Sequence, residues 1–171
     1  MSATAKPCLT NVTTSSQLSI LLVLLASACG VDRALEPAPV FPESSTIGSA
    51  HGARLVDDPD AEFHVSTEGL VAEAERAIDI GAAIWSVDAS VLEGWIVAFQ
   101  GGWFVCQTRP TPTWTFGCTH REQGWIQSGP NGGCRTSALV HEIGHVVIGD
   151  REHLDSRWVE ATAHEQDPCM P

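Results

Sequence analysis

The sequence predicts an α+β domain with a small, twisted, mainly antiparallel sheet and two main helices. Residues 70–85 and 139–148 carry apolar side chains at helical spacing. Between them lie short segments rich in β-branched and aromatic residues, separated by turns that contain glycine and proline. The chain has 171 residues, which is enough for one domain with a hydrophobic core.

The charge composition argues against nucleic acid as a partner. The formal net charge is −12, and Lys6 is the only lysine. Nucleic-acid binding depends on clustered basic residues, and no basic surface is available here. The acidity indicates a soluble domain, and a monomer is the expected state.

The N-terminal segment 1–28 has the features of a signal peptide. Residues 18–28 form an apolar run that is too short to span a bilayer and that ends in small residues. Residues 25–29 resemble a bacterial lipobox, in which Cys29 would become the lipidated first residue. The prediction is export and lipid anchoring in the cell envelope, at the outer membrane or cell surface. The alternative is an ordinary cleaved signal peptide and a secreted protein.

The next segment, 29–62, is rich in proline, serine, alanine and acidic residues and lacks periodic apolar positions. This composition predicts a flexible tether, followed by a folded domain over 63–171. In that domain, Ser66 or Thr67 is the predicted cap of a helix that begins at Glu68 and ends near Trp85.

Strands are predicted over 95–99, 103–106 and 114–118, and a short edge segment over 125–127. Four cysteines of the predicted domain can form two disulfides in three possible pairings: Cys106, Cys118, Cys134 and Cys169. Because Cys106 and Cys118 end neighbouring strands of a predicted hairpin, their pairing is the first choice. A Cys134–Cys169 bond would then pin the tail under the second helix.

The second helix carries the residues that can bind a metal ion and catalyse a reaction. His141 and His145 are four positions apart, so their side chains lie on one helical face. Two imidazoles placed in this way can bind one zinc ion. Glu142 follows the first histidine and would act as the general base toward water in an H-E-x-x-H arrangement. The apolar flanks indicate a buried helix, in which a metal would satisfy the histidines.

This stretch resembles the active-site helix of zincin metallopeptidases, and Gly144 before the second histidine is similar to metzincins and matrixin-like enzymes. Their pattern continues H-E-x-x-H-x-x-G-x-x-H and then a methionine turn. Here Gly149 comes one residue later than in that pattern, and His153 lies two residues further from His145. The end of the chain at Met170 resembles a Met-turn. The resemblance implies a zincin-like fold, in which a helix backs the sheet and Met170 packs beneath the ligands.

A catalytic zinc takes three protein ligands and leaves one position for water. His153 is the favoured third ligand because it follows a helix-ending glycine, as in the metzincin pattern. Asp155, Glu160 and His164 are the alternatives.

The predicted function is zinc-dependent hydrolysis of peptide bonds in a peptide or protein substrate, with one Zn²⁺ as cofactor. The alternative is a surface lipoprotein that retains the fold and binds metal or has a structural role, without cleaving peptides.

Overall fold

The computed structural model describes residues 39–57, 66–106, 113–130 and 134–170. These residues include a mixed five-stranded sheet and three α-helices. The fold is α+β, as predicted. The predicted signal peptide, Cys29 and most of the predicted tether lie outside the described residues. Among the described helices, none combines the length and the apolar character needed to cross a membrane.

The described strands form two sheets. Their bounds are β1 (Thr46–Ala50), β2 (Ala53–Asp57), β3 (Ile96–Phe99), β4 (Phe104–Cys106), β5 (Thr113–Thr115), β6 (Gly117–His120) and β7 (Trp125–Ser128). The larger sheet has the order β1-β2-β3-β7-β6, and β4 pairs with β5 in a separate antiparallel ribbon.

The prediction of a mainly antiparallel sheet is wrong for the larger sheet. Strand β3 runs parallel to both β2 and β7, and only the outer pairs β1–β2 and β6–β7 are antiparallel. A parallel pair needs a long crossover connection, and here the chain between β2 and β3 includes a helix. The pattern of short strands in the sequence does not reveal this connection, because it reports strands and not their directions.

The flexible tether predicted over 29–62 is wrong for residues 46–57, because β1 and β2 belong to the sheet. Ala53, Leu55 and Val56 are buried in the core. The prediction missed these strands because β1 is built from small residues, which leaves few large apolar side chains in the segment.

The helices are α1 (Thr67–Trp85), α2 (Ser137–Ile148) and α3 (Arg157–Ala163). Helix α1 confirms the predicted helix and its cap, since the Ser66 hydroxyl accepts a 3.1 Å hydrogen bond from the Gly69 amide. Helix α2 ends at Gly149, whose φ of 64° is the left-handed conformation that glycine adopts readily. Four short 3-10 turns complete the described structure: Glu43–Ser45, Ala89–Leu92, Arg121–Gln123 and Asp167–Cys169.

Among the described strands of the larger sheet, β1 and β6 are the two edges, and the segment at 125–127 is not an edge. The segment at 125–127 belongs to β7, which lies between β3 and β6 and is largely buried. The strand predicted over 114–118 is two strands, because the chain leaves the ribbon after Thr115 and joins the larger sheet at Gly117. This change of sheet places β6 beside α2.

Close packing between helices fixes the position of α2 in the core. A Cβ atom on Gly144 would overlap the rings of both Trp85 and Trp158. The side chain of Ile143 is similarly close to Gly81 of α1. Small residues at these contacts let the two helices approach, so α2 is held rigidly between α1 and α3.

Both predicted cysteine pairs are at disulfide distance. Cys106 lies next to Cys118, and Cys134 lies next to Cys169, with a Cα–Cα distance of 5.7 Å in each case. The first pair ties the ribbon to β6. The second ties the segment before α2 to the end of the chain.

Candidate metal centre

Three histidine side chains meet at one point beside α2. His141 and His145 lie one turn apart on α2, and His153 reaches them from the loop before α3. The Nε2 atom of His153 is 3.2 Å from Nε2 of His141 and 3.2 Å from Nε2 of His145. His153 is exposed and the two helical histidines are partly buried, so the cluster is reachable from solvent.

The spacing of these nitrogen atoms fits a single zinc ion. Zn–N bonds of about 2.0–2.1 Å at tetrahedral angles separate two ligand nitrogens by about 3.3 Å. The two measured Nε2–Nε2 distances of 3.2 Å are close to that value. Three neutral imidazoles form a donor set that zinc accepts readily, and it leaves a fourth position for another ligand.

Asp150 organises the loop that carries His153. Its carboxylate accepts hydrogen bonds from the backbone amides of Glu152, at 2.8 Å, and Leu154, at 2.7 Å. The Trp158 indole donates to the same carboxylate at 3.3 Å. His153 has a φ of 54°, a left-handed conformation that non-glycine residues adopt only when their surroundings enforce it. The Asp150 hydrogen bonds therefore fix the backbone on both sides of His153.

The backbone of Asp150 also orients His145. The Nδ1 atom of His145 is 2.9 Å from the Asp150 carbonyl oxygen, which can only accept a hydrogen bond. The proton of the neutral ring is therefore on Nδ1, and the lone pair on Nε2 faces the other two histidines. Orientation of a ligand histidine through its second nitrogen is a general feature of metal sites.

Glu165 takes a comparable position behind His141. Its Oε1 atom is 3.6 Å from Nδ1 of His141, and both side chains are largely buried. A carboxylate behind a histidine raises the basicity of the nitrogen that faces the metal. The sequence reasoning missed both Asp150 and Glu165. An acceptor for the N–H of the far nitrogen of a ligand histidine has no fixed spacing in sequence, so no pattern marked them.

Trp158 packs against all three histidines. Its ring centroid is 4.7 Å from those of His141 and His145 and 4.4 Å from that of His153. The side chain is buried beneath the cluster, whereas Met170, predicted for that position, is 63% exposed. The prediction that Met170 packs beneath the histidines is therefore wrong. Cys169 lies at disulfide distance from Cys134, and Met170 after it is exposed to solvent.

Glu142 lies on the side of α2 that faces β6. Its carboxylate is buried and accepts a 2.6 Å hydrogen bond from the Thr119 hydroxyl. A Cβ atom on Gly117 would overlap the other carboxylate oxygen, Oε1. The edge strand thus leaves a space for this carboxylate and holds one of its oxygens.

The alternative third ligands are held elsewhere. The Asp155 carboxylate accepts hydrogen bonds from the Arg157 guanidinium, which lower its pKa to about 2. His164 lies against Asp167, whose hydrogen bond raises the pKa of the imidazole. Neither these residues nor Glu160 is among the described side chains whose ligand atoms converge.

A second group of ligand atoms, from Glu73, Cys134 and Cys169, lies under the tail. The two sulfur atoms are at disulfide distance, and bonded sulfurs do not offer thiolate ligands. Burial raises the pKa of Glu73, which disfavours the anionic form that a cation requires. The histidine cluster is therefore the better candidate for a metal centre.

No known protein family model, curated protein or solved structure matches this chain in sequence or fold comparison.

Proposed function

We propose that this protein is a zincin-like metallopeptidase that hydrolyses peptide bonds with one zinc ion. The observation that carries the proposal is the convergence of three Nε2 atoms, from His141, His145 and His153, with Glu142 next to the first of them along α2. The order H-E-x-x-H on one helix followed by a third histidine is the arrangement of zincin active sites, as noted from the sequence.

Each residue has a distinct role in this proposal. His141, His145 and His153 hold the metal, which supplies a Lewis acid that activates water and polarises a carbonyl group. Glu142 accepts a proton from the attacking water and later delivers it to the leaving amine. The Thr119 hydroxyl keeps the Glu142 carboxylate in one orientation, which favours proton transfer along a fixed path.

The free edge of β6 supports a peptide as the substrate. Among the described strands, β6 pairs only with β7, and its residue Thr119 contacts the proposed general base. An extended peptide can add to such an edge through backbone hydrogen bonds. That mode of binding would bring a peptide bond close to Glu142.

One observation favours the alternative of a metal-binding protein without peptidase activity. Glu142 is only 5% exposed, and one of its carboxylate oxygens is already bound by Thr119. A base in this position serves catalysis only if Oε1 is open to the attacking water. The two functions share the metal and differ in the use of this one carboxylate.

Export and lipid anchoring are proposed from the sequence of residues 1–29 alone. Substituting Cys29 by serine would then abolish incorporation of a labelled fatty acid in the producing cell and release the protein from the membrane fraction. Retention in the membrane fraction by the variant would contradict anchoring at this residue.

The test of the proposed function compares wild-type protein with the Glu142→Gln variant on a mixed peptide library. We expect stoichiometric zinc in both, and a loss of cleavage by the variant of about 100-fold or more, the usual contribution of a general base. Glu160→Gln is the matched control, because Glu160 is exposed on α3 and outside the cluster.

The outcomes separate the hypotheses. Cleavage by the wild type and by the control, but not by zinc-loaded Glu142→Gln, supports the peptidase. Zinc binding with no cleavage by any protein supports the metal-binding alternative. Absence of stoichiometric zinc in the wild type, with the histidines intact, contradicts both.

A further inference from the structure

One face of the ribbon formed by β4 and β5 carries apolar, mostly aromatic side chains, of which two tryptophans are exposed and the other two residues are half-buried. In its register Val105 lies opposite Trp114, and the same alternation continues to Trp103 and Phe116. The rings of Trp103 and Phe116 are in contact, with centroids 4.0 Å apart. We call these four residues the aromatic face: Trp103, Val105, Trp114 and Phe116.

The opposite face of the ribbon is attached to the domain. Cys106 is buried and lies at disulfide distance from Cys118 of β6. The Phe104 ring packs over Gly129, where an added Cβ atom would be 3.3 Å from it. The ribbon is therefore held in position, and the exposure of its other face is a fixed feature of the domain.

The exposure of the aromatic face needs an explanation. Trp103 is 60% exposed and Trp114 is 65% exposed. Adjacent large apolar side chains on a soluble domain mark a binding surface more often than single exposed ones do. The described residues of the ribbon include no charged side chain, so the surface suits an uncharged, apolar ligand.

The aromatic face leads directly to the proposed general base. Phe116 immediately precedes Gly117, the residue whose missing side chain leaves room for the Glu142 carboxylate. Trp114 lies two residues before Phe116, about 7 Å away at strand spacing. A polypeptide bound along β6 with a peptide bond near Glu142 would therefore extend onto these rings.

We propose that the aromatic face is a substrate subsite that binds a large apolar side chain of the peptide, close to the bond that is cleaved. This inference rests on the proposed peptidase function. A membrane surface is the other apolar partner to consider, but the net charge of −12 disfavours approach to anionic lipid. The continuity of the face with Gly117 favours the peptide.

The test measures peptide binding by zinc-loaded Glu142→Gln protein, which does not depend on turnover. The probes are short synthetic peptides that contain one leucine or phenylalanine, and matched peptides with serine in its place. We expect the apolar peptides to bind more tightly, and Trp114→Ala to weaken them about tenfold while leaving the serine peptides unchanged. Val159→Ala is the control, since Val159 is 77% exposed on α3 and apart from the ribbon.

Each result decides the inference. Equal binding of apolar and serine peptides, no binding of either, or apolar binding that Trp114→Ala leaves unchanged would overturn it. Tryptophan-dependent sedimentation with phosphatidylcholine vesicles, without an effect on peptides, would overturn it in favour of a lipid-binding face. Wild-type cleavage without a preference for apolar residues refutes the subsite alone. Tryptophan-dependent binding of apolar peptides without any wild-type cleavage refutes the peptidase, and the face then binds peptides without being a substrate subsite.

Discussion

The Thr119 hydroxyl and the Glu142 carboxylate are joined by a 2.6 Å hydrogen bond that links edge strand β6 to the helix carrying two of the three histidines. The same hydroxyl lies 3.2 Å from the Glu142 backbone carbonyl. The edge strand and the proposed base are therefore positioned by one side chain, and a change at Thr119 affects both.

Replacing Thr119 by valine keeps the shape of the side chain and removes the hydroxyl. We expect unfolding free energy to fall by about 1.5–3 kcal/mol, because a buried carboxylate loses a hydrogen bond. Peptide cleavage should fall through kcat, with zinc content unchanged. Denaturant unfolding and steady-state kinetics measure these two effects. Thr119→Ser retains the hydroxyl and should restore most of both, and a serine variant as impaired as the valine variant would contradict this role.

Replacing Glu165 by glutamine removes the negative charge behind His141 and keeps the shape of the side chain. Loss of such a partner usually weakens metal binding by about 10- to 100-fold. Competition with a zinc-binding chromophore measures the affinity. Glu160→Gln, a charge-matched change on α3, should leave it unaltered. Equal affinities for the two variants would show that the 3.6 Å contact has no influence on the metal.

Zinc should stabilise the fold through the loop that carries His153. At a free zinc concentration of one hundred times Kd, linkage predicts a gain of about 2.7 kcal/mol in unfolding free energy. His153→Ala should lose most of this gain, and His164→Ala should keep it. Thermal unfolding with and without a chelator provides the measurement. An unchanged response in His153→Ala would exclude His153 as a ligand.

Replacing Gly144 by alanine should destabilise the domain by about 1–3 kcal/mol, the usual effect of overpacking a core. The new methyl group would overlap the Trp85 and Trp158 rings, and Trp158 supports the histidine cluster. The same change at Gly102 meets no atom within 4 Å, so Gly102→Ala is the control for denaturant unfolding. Similar stabilities for both variants would mean that the helix packing is looser than described.

The His164–Asp167 pair gives a pH dependence of known sign. The Asp167 hydrogen bond raises the pKa of His164 above its ordinary value of 6.5. The pair therefore stabilises the fold fully below pH 6.5, and this contribution is lost as the pH rises through the raised pKa. Asp167→Asn should lower the pKa of His164 in an NMR titration and should destabilise the fold at low pH more than at high pH. His120, whose pKa burial lowers, is the internal reference and should titrate unchanged.

Features that depend only on residues within one helix could be predicted from the sequence. Helix α1 and its Ser66 cap follow from apolar spacing and a local hydrogen bond, so they could be predicted from neighbouring residues. His141 and His145 share a face for the same reason. His153 was favoured on resemblance, and the structure brings it to the other two.

The remaining features depend on contacts between distant segments. The parallel pairing of β3 with β2 and β7 is decided by crossover connections that leave no local signal. Trp158 occupies the place expected for Met170. From the sequence it could be predicted only as a core residue, because no pattern indicates which aromatic ring packs against the histidines. Thr119 and Glu165 approach Glu142 and His141 from segments more than 20 residues away.

The Cys134–Cys169 pair has a consequence for the resistance of the domain to proteolysis, including cleavage by another copy if the proposed peptidase activity holds. All three histidines, Glu142, Trp158 and Glu165 lie between these two cysteines. A bond across the pair closes this stretch into a covalent ring. A single cut anywhere inside it would leave both fragments attached, so an accidental nick by a neighbouring molecule would not by itself shed any part of the centre.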